Sequence, residues 1–94
     1  MSLRFSWDPR KAASNLTKHG VSFEEASTVF SDVLSLTISD PDHSEDEDRW
    51  IILGQSHRRR LLAVVHTDDG ETVRVISARF AEPRERRKYE EGKG

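Results

Sequence analysis

Apolar residues recur at helical spacing through the first third of the chain and at alternating positions afterwards, which divides it into a helical opening and a β-rich body. Phe5 and Trp7 alternate with polar neighbours in a very short strand. Asp8-Pro9 then supplies a helix N-cap followed by proline at the first helical position. Ala12, Leu16 and His19 fall on one face of that helix, and Gly20 offers the left-handed residue that ends it. A second helix follows at once. Ser22 and Glu25 make an S-x-x-E capping box, Val21 and Ala26 a hydrophobic staple, and Phe23, Ala26 and Phe30 an apolar face.

From Val33 the period changes to two: Leu34, Leu36 and Ile38 share one face, with Ser35, Thr37 and Ser39 on the other. The acidic segment Asp40 to Asp48, which contains Pro41, is expected to be a solvated turn before a strand at Trp50-Ile51-Ile52-Leu53. Gly54 to Arg59 turns the chain into Leu61-Leu62-Ala63-Val64-Val65, apolar on both faces, and Asp68-Asp69-Gly70 closes a hairpin into Thr72–Phe80. A last helix, about Pro83 to Glu91, is polar all round except for Tyr89, so its packing relies on that ring and on aliphatic stems. No internal repeat or linker interrupts the pattern. The expected class is α+β: a small antiparallel sheet with two N-terminal helices and a C-terminal helix packed on it.

Length and composition limit what such a chain can do. At 94 residues and 34% hydrophobic it supports one domain with one modest core, spanning 1–94. Net charge is −2, but its distribution is uneven. Acids gather between Asp40 and Asp48, and bases at His57–Arg60 and from Arg74 to Lys88. There is no cysteine, which excludes disulfides, thiolate zinc sites and a cysteine nucleophile, and fits a reducing cytosol. No leader pattern opens the chain and no apolar run approaches the roughly 20 residues that span a bilayer, so a soluble, cytoplasmic protein is expected.

The chemistry concentrates in the C-terminal third. Ser77 and Arg79, two apart on a strand, leave the sheet on one face, with Arg74 on the other unless a bulge intervenes. Glu85 and Tyr89, four apart on the last helix, are surface neighbours, and a cleft between strand end and helix can collect all four. Arginine forks match phosphate oxygens, while glutamate and tyrosine exchange protons. The plainer alternative is a solvated helix on which Glu82, Glu85 and Glu90 pair with Arg86, Arg87 and Lys88. His66 and His57 are either proton carriers or ordinary strand-end and turn histidines. Asp42-His43-Ser44-Glu45 lacks the glycine and ligand alternation of a calcium loop, so no metal site is expected. Arg10, Lys11, Lys18 and His19 are either phosphate contacts or the exposed cations of an amphipathic helix. Trp7 and Trp50 read as core or core-edge aromatics.

Several segments together resemble one family. They are Phe5-x-Trp7-Asp8-Pro9-x-Lys11-Ala12-x-x-Asn15-x-x-Lys18-His19-Gly20-Val21-x-Phe23-Glu24-Glu25-Ala26, then Arg49-Trp50-x-x-Leu53-Gly54, Arg74-x-Ile76-Ser77-Ala78-Arg79 and Glu85-Arg86-x-x-Tyr89. Across nearly the whole chain these are similar to the BrnT family of type II toxins. The resemblance implies a fold like the RelE-like ribonuclease toxins, an RNA substrate, no cofactor and no membrane. It also implies a BrnA-type ribbon-helix-helix antitoxin, with DNA contacted only through that partner and the toxin serving as its co-repressor. By motif, Arg79 and Arg74 correspond to the family's Arg-x-Ile-Ser-x-Arg strand, Glu85 and Tyr89 to its Glu-Arg-x-x-Tyr helix, and Arg60 to a commonly basic position. Family members have glycine immediately before that arginine, where this chain has Arg59.

The expected activity is metal-independent cleavage of RNA by attack of the 2′-hydroxyl on the adjacent phosphate. Arg79 with Arg60 or Arg74 would stabilise the developing charge, Glu85 or His66 would take the proton, and Tyr89 would orient or donate. Arg58, Arg59, Ser77, Arg86 and Lys88 are the expected RNA contacts. The alternative is a module that binds RNA or an antitoxin without cutting.

Overall fold

The computed structural model describes residues 3–40 and 49–92; residues 41–48 of the acidic segment, with His43, lie outside them. Five strands, β1 (Arg4–Ser6), β2 (Leu36–Ser39), β3 (Trp50–Gln55), β4 (Leu61–Asp68) and β5 (Thr72–Phe80), form one sheet in the order β1-β5-β4-β3-β2. β2 to β5 make the antiparallel meander that alternation predicts, and β1 adds in parallel beside Thr72–Arg74. Helices α1 (Pro9–His19) and α2 (Phe23–Thr28), with a single 3₁₀ turn at Val29–Ser31, cover one face, and α3 (Pro83–Gly92) lies on the other. Among the described residues no helix is long and apolar enough to cross a membrane.

The two faces bury separate cores. Val21, Phe23, Ala26, Val29, Ile52, Leu62, Val64, Val75 and Ala78 fill the α1/α2 side, with Trp7 edge-on to Phe23 at 5.9 Å and Phe5 edge-on to Phe30 at 5.3 Å. Ile51, Leu53, Leu61, Ala63 and Tyr89 fill the α3 side. Burying a side chain such as Phe23 completely contributes about 1.5–3 kcal/mol. Gly54 is required where the 3₁₀ turn meets β3, because a Cβ there would stand 2.9 Å from a Val29 methyl.

The helix caps form as expected: the Asp8 side chain accepts from Arg10 N at 2.8 Å, and Gly20 closes α1 at φ 71°. Three local readings need correction. Leu16 is half exposed, and Asn15 occupies the buried position on α1. On its outer side, among the described residues, β5 has no strand beyond Arg74, and the Asn15 amide covers that gap by accepting from Ala78 N at 3.1 Å and donating to Ala78 O at 2.8 Å and Val21 O at 2.9 Å. Val33 and Leu34 are exposed rather than in a strand, since Asp32 holds the turn there by accepting from Leu34 N and Gln55 N at 2.9 and 2.8 Å. Only half of the capping box at α2 forms. Ser22 accepts from Glu25 N at 3.0 Å, while the Glu25 carboxylate turns to Ser56 and Arg60.

A bulge interrupts the β4–β5 ladder. Val65 faces Ser77 but His66 faces Val75, which leaves Ile76 as the extra residue. Face alternation is therefore reset: Val75 and Ala78, three apart, both enter the α1/α2 core. Arg74 and Arg79, opposite Thr67 and Ala63, consequently leave on the same face, the α3 side. Without the bulge they would diverge.

Candidate functional site

The junction of β5 and α3 builds a cluster around a paired arginine and glutamate. Pro83 opens α3, and Glu85 reaches back to accept from Glu82 N at 2.9 Å, the returning half of a capping box. The same carboxylate takes two hydrogen bonds from the Arg79 guanidinium, at 2.7 and 3.0 Å, in a fork-to-fork pair. Arg79 holds the Glu85 carboxyl below its ordinary range, against the opposing effect of burial, and Glu85 in turn raises Arg79. Ion-pair geometry of this quality fixes the guanidinium in the wall of a cleft of about 460 Å³ lined also by Ile38, Asp40, Ile51, Glu82, Arg84 and Lys88.

Tyr89 does not join this cleft. It is buried, and its hydroxyl donates to Asp32 Oδ2 at 2.6 Å, tying α3 to the turn before β2. Burial first, and Asp32 second, push its pKa up to about 12. Ser77 lies apart as well, at the open edge of β5, where it lines a groove of about 190 Å³ with Lys11, Ser14, Lys18 and His19 of α1. Arg74 stands on the same face as Arg79 at the far end of the strand, exposed, within 3.5 Å of Ser6 Oγ. Lys88 joins the cleft, whereas Arg86 is exposed on α3 and does not line it.

Arg60 and His66 belong to the opposite face. Arg60 Nε donates to Glu25 Oε2 at 2.8 Å and a second guanidinium nitrogen donates to Oε1, while Ser56 Oγ donates to Oε2 at 2.6 Å. Arg60, Ser56 and Arg58 hold the buried Glu25 down to about 2, with the Arg60 bond the largest cause. His66 is buried edge-on to Phe30 at 4.8 Å, and its Nδ1 lies 3.1 Å from Val64 O, an acceptor, so the proton is assigned to Nδ1. Burial lowers its pKa and keeps it neutral. Neither residue can meet a phosphate held by Arg79, because the sheet stands between them.

In the turn Ser56–Arg60, Arg59 adopts φ 63°, the left-handed conformation that glycine takes without strain. His57 and Arg58 are exposed there, with His57 N donating to Thr28 Oγ1 at 2.9 Å. Arg84 escaped sequence reading as a member of the cleft. Its spacing of four from Lys88 on α3 carried the signal, since both project beside Glu85. Asp40 gave no such signal, because its approach to Arg79 depends on sheet pairing. Among the described residues no group of three or more His, Cys, Asp or Glu side chains is placed to hold a metal ion.

Residues 7–85 match the model of a family described as the ribonuclease toxin BrnT of type II toxin–antitoxin systems. No curated protein matches the chain. Among solved structures, the crystal structure of the Brucella abortus ribonuclease toxin BrnT aligns with 86% of this chain and 99% of its own at a TM-score of 0.66 and 24% identity, a likeness of fold.

Proposed function

Because this chain belongs to the BrnT family of ribonuclease toxins of type II toxin–antitoxin systems, we propose that it is an endoribonuclease whose reacting groups are Arg79 and Glu85. The paired guanidinium and carboxylate lining a cleft carry this reading. A phosphodiester entering the cleft competes for the guanidinium fork. As it binds, Glu85 loses the hydrogen bonds that depress its proton affinity and becomes a stronger base. Glu85 then takes the 2′-hydroxyl proton, the 2′-oxygen attacks phosphorus, and Arg79 stabilises the charge on the equatorial oxygens. The bond to the 5′-oxygen breaks, leaving a 2′,3′-cyclic phosphate, and the departing oxygen takes its proton from Lys88 or water. Arg84 and Lys88 hold flanking phosphates, and Arg74 extends the track along β5. Tyr89, turned into the core, acts as a support for α3.

The reaction needs no metal, takes place in the cytoplasm and inhibits translation by removing RNA. A cognate ribbon-helix-helix antitoxin of the BrnA type neutralises the toxin and recruits it as co-repressor. A second reading has one observation behind it. Asp40, Glu82 and Glu85 balance Arg79, Arg84 and Lys88 in the cleft, which suits a module that docks a partner without cutting. The test is incubation of the purified chain with a defined RNA in excess EDTA beside Arg79→Ala. Cleavage by the parent alone is expected. Intact RNA with both proteins, with antitoxin binding retained, would favour the docking module.

A further inference from the structure

On the α1/α2 face, Phe80 ends β5 with 48% of its surface exposed, and the Arg60 guanidinium carbon lies 5.0 Å from its ring centroid. A single exposed phenylalanine needs no explanation. This one has a built setting. Arg60 is clamped by the buried Glu25 and lies within 3.4 Å of Gly20 O, so the guanidinium is held over the ring. With its charge engaged by Glu25, Arg60 serves as a flat stacking surface more than as a phosphate ligand. The neighbouring turn presents Arg58 and Arg59, both exposed, and holds Arg59 in a left-handed conformation that strains a residue with a Cβ. Strain of that kind persists where the surroundings impose it, and it commonly marks a site of use.

We propose that Phe80 and Arg60 form a stacking platform for one unpaired base of a single-stranded RNA, with Arg58 and Arg59 contacting its phosphates. This rests on the reading of the chain as an RNA-cutting protein. Phe80 follows Arg79 directly and points to the other face, and Arg79 donates to Phe80 O at 3.3 Å. A strand whose phosphate sits in the Arg79 cleft therefore reaches the platform around the outer edge of β5, beside which no strand runs past Arg74 among the described residues. Stacking on an aromatic ring is tolerant of base identity, whereas the arginines supply salt-dependent attraction. The cluster of arginines argues for a nucleic acid over a protein partner on this patch.

The experiment uses a fluorescein-labelled, uncleavable 2′-O-methyl oligonucleotide, with anisotropy titrations of the parent, Phe80→Leu and Phe80→Trp. The all-ribose version is tested for cleavage alongside. Phe80→Leu keeps apolar contact but removes the π-face, and is expected to weaken binding about tenfold or more, while Phe80→Trp retains it. An abasic position scanned along the oligonucleotide should weaken the parent at one register and leave Phe80→Leu unaffected there. Binding by Phe80→Leu equal to the parent, with the parent still cutting, overturns the platform and spares the nuclease reading. An abasic penalty equal in both proteins also overturns it. Retained RNA binding with loss of antitoxin capture would give the face to a protein and overturn it too. If the parent binds with the expected Phe80 and abasic signature yet cuts no RNA, the platform stands and the nuclease reading falls.

Discussion

Asn15 and Ala78, distant in sequence, exchange two hydrogen bonds through the Asn15 amide, which stands in for the strand that β5 lacks at its outer edge. Replacing it with alanine leaves the Ala78 N–H and the carbonyls of Ala78 and Val21 without this partner in a buried place. Asn15→Ala is expected to destabilise the fold by about 2–4 kcal/mol, read as a lower urea midpoint with little change in the slope.

Glu85→Gln keeps the shape of the α3 cap but removes the base. Cleavage should fall about 10²–10⁴-fold, while the urea midpoint moves far less than that loss would imply. Because Arg79 holds the Glu85 pKa low, the acid limb of kcat/KM should lie below the ordinary glutamate range. The limb of kcat should sit higher, since bound phosphate takes the guanidinium away. Coincident limbs would argue against the exchange of partners.

Tyr89→Phe separates support from chemistry. Its hydroxyl serves Asp32 in the core, so the variant should lose about 1–2 kcal/mol of stability and cut RNA at the parental rate well below its melting temperature. A large drop in kcat with unchanged stability would place the hydroxyl in the reaction.

The Glu25–Arg60 pair makes stability depend on pH in a definite direction. The folded pKa of Glu25 is about 2 against an ordinary 4.5, so its contribution is present above 4.5 and is lost as pH falls from there toward 2. By linkage that contribution is about 3 kcal/mol. Neutral His66, also lowered from its ordinary value of 6.5, works in the same direction at higher pH, since the unfolded chain binds its proton first as pH drops below 6.5. Urea titrations of the parent and Glu25→Gln at a series of pH values should converge as pH falls through this window. A constant gap would show that the carboxylate charge is not what stabilises.

Arg59→Gly relieves the left-handed strain and adds freedom to the unfolded chain. The net gain should be up to about 1 kcal/mol, measured by urea midpoint. If this variant also binds the oligonucleotide more weakly, the strain is retained for the contact it makes.

Helix starts, the Gly20 stop and the alternating strands were legible because capping and period-two burial are local rules. What could not be read was non-local. Leu16 and Asn15 both fit the inner face of α1, and the choice depends on an open sheet edge that only the pairing of β1 with β5 reveals. Glu85 and Tyr89 were rightly neighbours on a helix, yet the sheet core draws the ring inward and leaves the carboxylate to Arg79. Arg60, the residue before β4, and Arg79 on β5 lie at strands that pair in the fold, but residue parity sends them to opposite faces. The bulge was foreseeable only as a condition, because nothing around Ile76 marks it in sequence.

That extra residue also determines which kinds of inherited change this protein can absorb. Alternative side chains at position 76 leave the spacing of β5 intact, so a lineage can drift there freely in identity. A loss of length is absorbed at the bulge itself: without one residue between Val75 and Ala78 those two stand two apart, the ladder becomes regular, and Val75 and Ala78 stay in the core with Arg79 outside it. The same loss elsewhere in the paired part of β5 would slip its register and turn side chains over to the wrong face.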